Sequence, residues 1–561
     1  MKKIFIILFS FITIDIVNLY VMAGKNIDNQ NQLKVNNFSF VIIPDTQGYT
    51  ISEKNMIHLK RQIDWIRDNY KNENISLITH VGDIIEYPYP FLFSRIIKKT
   101  KADFICSAEI WKYTSKDNKL RWDRASNQFA RLQNLTRKIP ISFVSGNHDY
   151  SCHARKASNN SFLNYFGPEN FIERNWFLDS DKTGYNSAQK LYIGGKHYIH
   201  IGLEYLPSDK AIEFAQKIIM QNPNIPVIIT THYYLQSSRI IELKKNQMPS
   251  KTNSPMQLYK KLIDTFPQIF LVISGHKSQE GLVINKTSLD RDVIQIIANY
   301  QYDPEGGNGW FKILKFKPKQ STLEIATISP TYIPGVTFGP DHSKSKSAQR
   351  QIIYDINGLH NYLNSRKILT YREGQTNQSK IKYFGTIENI LTKKNNLSQK
   401  FYNLLFNKDK VVIKNKNNRV QLGLLKFEDF IGRNNGQINP NTKIEKALLT
   451  ITSDSTGHLN ADISMHEMNE SWDQNTSWDD LDNRIEINSK TSAKSISIKE
   501  SSIKGTNTFD VTNSVQKWIN GSINNGWVFA ANKNALWSFK SSKWKTLVER
   551  PMLTIIYENK N

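Results

Sequence analysis

Five short runs of β-branched and aromatic residues each end in a side chain that can ligate a metal, in one order along the chain. Phe40-Val41-Ile42-Ile43 leads into Asp45, and Ile75-Ser76-Leu77-Ile78-Thr79-His80-Val81 leads into Gly82-Asp83. The run 139–144 precedes Gly146-Asn147-His148-Asp149, the run 226–231 ends in His232, and the run 269–273 ends in Ser274-Gly275-His276. Apolar runs of this length, bounded by Gly and polar residues, read as buried strands. Between the first two, Met56, Leu59, Ile63, Ile66 and Tyr70 recur at helical spacing, with Ser52 as N-cap. Strand, helix, strand is a βαβ unit, which requires a parallel pair. A further strand over 197–203 and a helix capped by Asp209 and carrying Ala211, Phe214, Ala215 and Ile218 continue the pattern. Polar groups just past the strand ends sit where open α/β sheets bind ligands.

Hard divalent cations take carboxylate and amide oxygens, whereas zinc, iron and manganese also accept imidazole. Asp45, Asp83, Asn147, His232 and His276 form such a mixed set. A single Asp after a strand is commonplace and a single His there is more often structural, but five donors in this register are hard to obtain by chance. Two metals sharing a bridging carboxylate can clamp a phosphoryl group and activate water for in-line attack.

Asp45-Thr46-Gln47, Gly82-Asp83, Gly146-Asn147-His148-Asp149, His232 and Gly275-His276 resemble the calcineurin-like metallophosphoesterases in order and spacing, over residues 37–335. The resemblance implies an α/β fold, a four-layer αββα sandwich holding two divalent ions (Mn, Fe, Zn or Mg). It implies that Asp83 bridges them, that Asp45 binds the first metal and that Asn147, His232 and His276 bind the second. It further implies that His148 protonates the leaving oxygen or holds the phosphate, and that Asp149 orients His148. Two positions depart from the family pattern: Gln47 and Ser278 stand where histidines are usual. Gln47 can offer a carbonyl oxygen while Ser278 is a poor ligand, so the first site is expected to be weak and tilted toward magnesium, manganese or calcium. Asp45-Thr46-Gln47 together with Asn299-Tyr300-Gln301 and Gly306-Gly307-Asn308-Gly309-Trp310 is similar to an exported bacterial subgroup. The glycine-rich stretch reads equally well as a turn before a strand and as a substrate loop. Substrate choice is expected to lie with an insertion over 88–119 and with the loop after His232, which carries Tyr233 and Tyr234.

Residues 1–23 read as a signal peptide: Lys2 and Lys3, an apolar run too short to span a bilayer as a helix, and Ala23 before a cleavage point, with an uncleaved anchor left open by Asp15. No later stretch is apolar enough to span, so the mature chain is expected to be secreted, periplasmic or at the cell surface. Export permits a disulfide between Cys106 and Cys152, the two cysteines present, although spacing does not show that they meet. From 341 to 384 the chain is basic and polar and reads as a linker, so the parts on either side are expected to be separable. Short β-type runs follow: 421–427, 446–452, 509–515, 526–530 and 552–557, with a short helix near 515–519. This patterning argues an antiparallel sandwich. Leu424-Leu425-Lys426-Phe427, Phe509-Asp510-Val511-Thr512 and Gly526-Trp527 resemble a DNRLRE-type, carbohydrate-binding-module-like domain over 385–558, which implies an all-β, jelly-roll-like sandwich. Trp472, Trp478, Trp518, Trp527, Trp537 and Trp544 either stack on sugar rings or fill a core; Trp478, in a polar run, is the best candidate for an exposed ring, and Trp518 and Trp527 for buried ones.

With 74 Lys and Arg against 50 Asp and Glu, the formal charge is +24. Acidic partners are compatible with that balance, but the basic residues are spread out and not interleaved with aromatics, so a nucleic-acid groove is the weaker reading. The expected function is an exported metal-dependent phosphoesterase acting on a phosphate mono- or diester, with polysaccharide or a cell surface as partner of the tail. The alternative is a glycan-binding or adhesive protein whose metal domain turns over weakly or not at all.

Overall fold

The computed structural model describes residues 37–86, 108–150, 161–277, 280–345, 350–393, 409–416, 419–453, 463–481, 496–498, 505–531 and 535–559. The expected signal peptide, both cysteines, most of the 88–119 insertion and Ser278 lie outside them. No helix among the described residues is long and apolar enough to cross a membrane.

Strands β1 (Phe38–Ile43), β2 (Ile75–His80) and β3 (Ile141–Phe143) are followed by β4 (Phe177–Ser180), β5 (Ser187–Ile193), β6 (Lys196–Leu203), β7 (Val227–Thr231) and β8 (Ile269–Ser274). Then come β9 (Glu280–Lys286), β10 (Asp292–Ala298), β11 (Phe311–Lys317), β12 (Thr322–Ile328) and β13 (Arg350–Ile353). They build a six-stranded sheet in the order β13-β12-β11-β1-β2-β3 and a seven-stranded sheet in the order β9-β10-β8-β7-β6-β5-β4. The expected parallel pairing of β1 with β2 is present, with Val41 opposite Ile78. Strand β2 also pairs in parallel with β3, and β7 with its neighbours β6 and β8.

Alternation along β1 shows why the site ends up where it does. Phe38, Phe40 and Ile42 face a core shared with Tyr198, Ile228, Leu271 and Ile296 of the other sheet. Val41 and Ile43 instead pack with Leu59, Ile63 and Ile66 of helix α1 (Glu53–Asn69) and Trp122 and Phe129 of α2 (Ala108–Ala130). Helices α3 (Asp209–Gln221) and α4 (Pro255–Lys261) cover Ile199, Ile201 and Ile229 of the seven-stranded sheet. Helix α1 starts at the expected cap, where the Ser52 hydroxyl accepts the Asn55 amide. Both sheets are buried on two faces, so strands such as β1 and β8 are nearly continuous apolar runs, and the buried His200 is satisfied inside the sheet by Gln189 and Thr230.

The segment expected to be a linker is instead built into both halves of the chain. Strand β13 extends the six-stranded sheet by pairing with β12. Helix α5 (Ile356–Asn364) buries Ile356, Leu359 and Leu363 in the core shared by the two sheets. Strand β14 (Arg366–Arg372) then pairs along its length with the last strand of the chain. The apolar residues of α5 recur at helical spacing, and Asp355 caps it by accepting the Gly358 amide; the surrounding Lys, Asn and Ser residues hide that stripe when composition alone is read.

The C-terminal part comprises β15 (Thr386–Lys393), β16 (Lys410–Lys416), β17 (Arg419–Phe427), β18 (Ile444–Thr452), β19 (Ile463–Glu467), β20 (Ile496–Ile498), β21 (Thr506–Asp510), β22 (Trp527–Ala531), β23 (Ala535–Lys540) and β24 (Met552–Glu558). A four-stranded sheet, β14-β24-β18-β21, lies with a larger one ordered β20-β19-β22-β17-β16-β23, to which β15 adds by pairing with β17. Leu449, Ile451, Leu553 and Ile555 of the first share a core with Ile413, Phe427, Phe529 and Phe539 of the second. Trp518, Trp527 and Trp537 belong to this core, while Trp472 and Trp478 fill a second cluster with Leu391, Leu422 and Val528. Trp478 is 5% exposed, so the ring expected at the surface is a core residue. The polar run around it is a turn whose hydroxyls and carboxylates, Ser477 with Asp480 and Thr476 with Asp473, bond to one another and leave the indole to pack inward.

Candidate metal centre

The C-terminal ends of β1, β2, β7 and β8 and the loop after β3 converge. The ligand atoms of Asp83, His232 and His276 all lie within 4.8 Å of one another. His232 Nε2 is 3.2 Å from Asp83 Oδ2, 3.2 Å from Asn147 Oδ1 and 3.1 Å from His276 Nδ1. The other ring nitrogen, Nδ1, donates to the Val81 carbonyl at 2.8 Å, which aims Nε2 at the cluster. Asp45 adjoins the group: both its oxygens lie 3.2 Å from the donating amide of His276, and Asn299 Nδ2 donates to its Oδ2 at 2.9 Å. Asp45, Asp83 and His232 are buried, and His276 is partly exposed.

The glycines of these motifs are there for space. A Cβ on Gly146 would stand 2.1 Å from Asp83 Oδ1, and one on Gly275 would stand 2.3 Å from Asp45 Oδ1. Asp83 and His276 themselves hold left-handed backbone, with φ of 51° and 69°. Non-glycine residues in that region are strained, and such strain gathers at functional sites. Behind the cluster, Gly82 N donates to His80 Nδ1, and the opposite ring nitrogen faces Thr46 Oγ1 at 3.0 Å. The Thr46 hydroxyl donates to the Ile84 carbonyl, so His80 is the donor to Thr46 and is a neutral imidazole. Burial and the neighbouring His232 push its pKa down to about 3.

Burial favours the neutral form of every group here, and the charges at the centre decide which ones resist. Burial raises the Asp45 pKa well above the usual carboxylate range, with Asp83 adding to the rise. Asp83 itself is held below that range, because His232, His148 and His276 outweigh its burial. Burial would lower the pKa of His232, but Asp83 and Asp45 bring it up to about 9, while burial and His232 push His276 down to about 3. Two carboxylates and two imidazoles competing for protons in a buried site form a donor set that fits a divalent ion. Gln47 fits too: it is buried, and its Oε1 has no hydrogen-bond partner.

His148 and Asp149 take their hydrogen bonds from different places, and Asp149 reaches the ring only through its charge. The His148 amide donates to Asp83 Oδ1 at 2.9 Å, and its Nδ1 lies 3.0 Å from Glu86 Oε1. Burial opposes charging of this ring, but Asp83 and Glu86 raise its pKa to about 9. Asp149 instead accepts backbone amides: Gly146 N at 2.8 Å, Ile84 N at 2.8 Å and Ile85 N at 3.3 Å. It ties the loop after β2 to the loop after β3, and Glu86 is the carboxylate on the imidazole. The reading by sequence passed over Glu86, whose signal is a carboxylate three residues beyond Asp83. Asn299, which the sequence offers only as part of the Asn299-Tyr300-Gln301 stretch, clamps Asp45 through its amide. Of the two tyrosines after His232, Tyr233 packs on His276 with ring centres 4.1 Å apart, but Tyr234 is buried and donates to Gln295 Oε1. Tyr205, stacked on Tyr233, completes an aromatic wall beside both histidines.

Residues 38–280 match the family model for calcineurin-like phosphoesterase. The chain is 26% identical over 301 residues to the uncharacterized protein YvnB of Bacillus subtilis (strain 168), an alignment covering 52% of this chain and 20% of that one. The matched stretch is thus about a fifth of that relative's length. Among solved structures, GAP50, the anchor in the inner membrane complex of Plasmodium, aligns at 14% identity and a TM-score of 0.29, covering 58% of this chain and 94% of that one. A conserved uncharacterized protein of Streptococcus pneumoniae, described as a predicted phosphoesterase, aligns at 9% identity and a TM-score of 0.22, covering 56% and 98%.

Proposed function

We propose that this protein is an exported, metal-dependent phosphoesterase that hydrolyses a phosphate mono- or diester by attack of water. The observation that carries the reading is the convergence of Asp83, His232 and His276 within 4.8 Å, with Asn147 and Asp45 adjoining, inside the segment that matches the family. Asp83 would bridge two ions, with His232, His276 and Asn147 holding one and Asp45 and Gln47 the other. When bound, such ions supply Lewis-acid charge at the phosphoryl group and lower the pKa of water. His148 turns Nδ1 to the Glu86 carboxylate at 3.0 Å, which leaves Nε2 as the atom that would give a proton to the leaving oxygen. Asp149 keeps the two loops in register, so that Asp83 and His148 keep their spacing.

The αββα layering belongs to this reading and is supported by the two-sided alternation of β1. Export is supported by the Lys2-Lys3 start and the apolar run after it. We read the C-terminal part as a DNRLRE-type sandwich that holds the enzyme near polysaccharide or a cell surface. A purely glycan-binding role draws no support from the tryptophans: of the six, Trp544 alone is not buried, and its Nε1 is taken by Glu549. The test is full-length protein incubated with manganese and an aryl phosphate mono- or diester. Metal-stimulated release that disappears in His148→Ala supports the enzyme; silence on both esters, with firm retention on polysaccharide, would replace it with the binding role.

A further inference from the structure

Gln301 lies beyond the motifs that define the centre, yet it is built into it. Its amide N donates to Asn299 Oδ1 at 3.0 Å, and the same Asn299 clamps Asp45 through Nδ2. Its side-chain Nε2 donates to the His276 carbonyl at 3.4 Å. That contact fixes which end of the carboxamide is oxygen, and this oxygen, Gln301 Oε1, is buried with no hydrogen-bond partner. A buried amide oxygen left unsatisfied costs free energy unless something accepts its lone pairs. Gln47 Oε1 is in the same condition, two residues after Asp45. The two carboxamides belong to loops that touch backbone to backbone: a Cβ on Gly48 would stand 2.6 Å from Gly306 Cα, and Gly309 N donates to Tyr49 Oη at 3.1 Å. Residues 305–309 all have positive φ, and Asp303, just ahead of them, is paired to His342 at 2.7 Å. The glycine-rich stretch is therefore a rigid buttress behind Gln47, which favours the turn over the substrate loop among the two sequence readings.

We propose that Gln301 Oε1 joins Gln47 Oε1, Asp45 and Asp83 as a ligand of the first metal, making that site all-oxygen. The inference rests on the phosphoesterase reading above. Two carboxylates and two neutral carbonyl oxygens without imidazole suit a hard cation, magnesium, manganese or calcium, over zinc. The second site, with two histidines, keeps its preference for softer ions.

Manganese titration of metal-stripped full-length protein, with free Mn²⁺ followed by electron paramagnetic resonance, tests this without reference to activity. Wild type is expected to show a tight and a weak site. Gln301→Leu is expected to weaken the weak site at least tenfold and leave the tight one in place. Gln301→Glu, of similar size, is expected to tighten the weak site by adding a charge, and it decides the matter if the leucine variant does not fold. Calcium is expected to displace manganese from the weak site first. Two sites that are indifferent to both substitutions, or a loss confined to the tight site, would overturn the assignment of Gln301 while leaving the phosphoesterase reading intact. Wild-type protein that binds no manganese at all would overturn both.

Discussion

Gly146 and Gly275 contribute no side chain to the centre, yet each lies against a carboxylate that does. An added methyl would meet Asp83 Oδ1 and Asp45 Oδ1 well inside contact distance, at 2.1 and 2.3 Å. Gly146→Ala and Gly275→Ala are therefore expected to displace those carboxylates and to cut metal affinity at least tenfold while the chain stays folded. Metal analysis of dialysed protein beside a far-ultraviolet circular dichroism spectrum checks this; full metal content in both variants would contradict the packing argument. Glu86 is the second residue-scale case. The His148 ring must be protonated to give up a proton, and Asp83 and Glu86 keep it so up to about pH 9. Glu86→Gln removes one of the two charges, so the ring deprotonates at lower pH. The alkaline limb of kcat/KM is expected to move to lower pH, with the acid limb in place, when the profile is measured with saturating metal; an unmoved alkaline limb would show that Glu86 does not hold this proton.

At the scale of elements, strands and helices answer to different signals. The parallel strands are legible because both their faces are buried. Helices α1 and α3 are legible from their apolar spacing; α1 keeps the expected cap Ser52, whereas α3 is capped by Ser208, which accepts the Ala211 amide, one residue ahead of the expected Asp209. The run 509–515 reads as one strand, but the structure breaks it at Asp510. Asp510 Oδ1 accepts both the amide and the hydroxyl of Thr512, and a helix runs on from Thr512 to Ile519. A local side-chain bond redirects the backbone there, which a periodicity of two does not register. Trp478 teaches the converse: its neighbours in sequence are polar, but its neighbours in space are Trp472, Leu391 and Leu422. Trp478→Ala is expected to cost about 3–5 kcal/mol, as for a large aromatic removed from a core, and to lower the melting temperature by several degrees. An unchanged melting curve would return this ring to the surface and reopen the sugar-stacking role.

On the scale of the whole molecule, the two halves are interlocked. Leu448 and Ile556 of the four-stranded sheet pack into the core shared by the six- and seven-stranded sheets. Arg372, buried, donates to Gln216 of α3, and Lys261 of α4 bridges Asp209 and Glu549. A chain cut after Pro340 would lose β13, α5 and these contacts, leaving β12 as an open apolar edge, which is a template for aggregation. Such a truncated chain is expected to aggregate or melt well below the full chain. The full chain is expected to unfold in one calorimetric transition, and Ile556→Ala to lower that transition by about 2–5 kcal/mol. Two separate transitions, with Ile556→Ala moving one of them alone, would show that the halves fold independently.

That Asp45, Asp83, Asn147, His232 and His276 come together was legible in their order, because each follows an apolar run that reads as a buried strand, and parallel strands bring their C-terminal ends to one edge. The βαβ start, the parallel strands and the β-rich tail follow from the same rule of burial. Glu86 meets His148, and Asn299 and Gln301 meet Asp45 and His276, because loops from distant parts of the chain come together, so the carboxylate after Asp83 and the Asn299-Tyr300-Gln301 stretch do not by themselves state a role. Whether Asp149 faces an imidazole or a set of backbone amides, and whether Trp478 faces solvent or a core, depended on which loops and strands became neighbours. The stretch 341–384 shows the difference most plainly: its composition is that of a linker, but Ile356, Leu359 and Leu363 found an open core to fill, and only the packed tertiary structure decides which apolar stripes are buried.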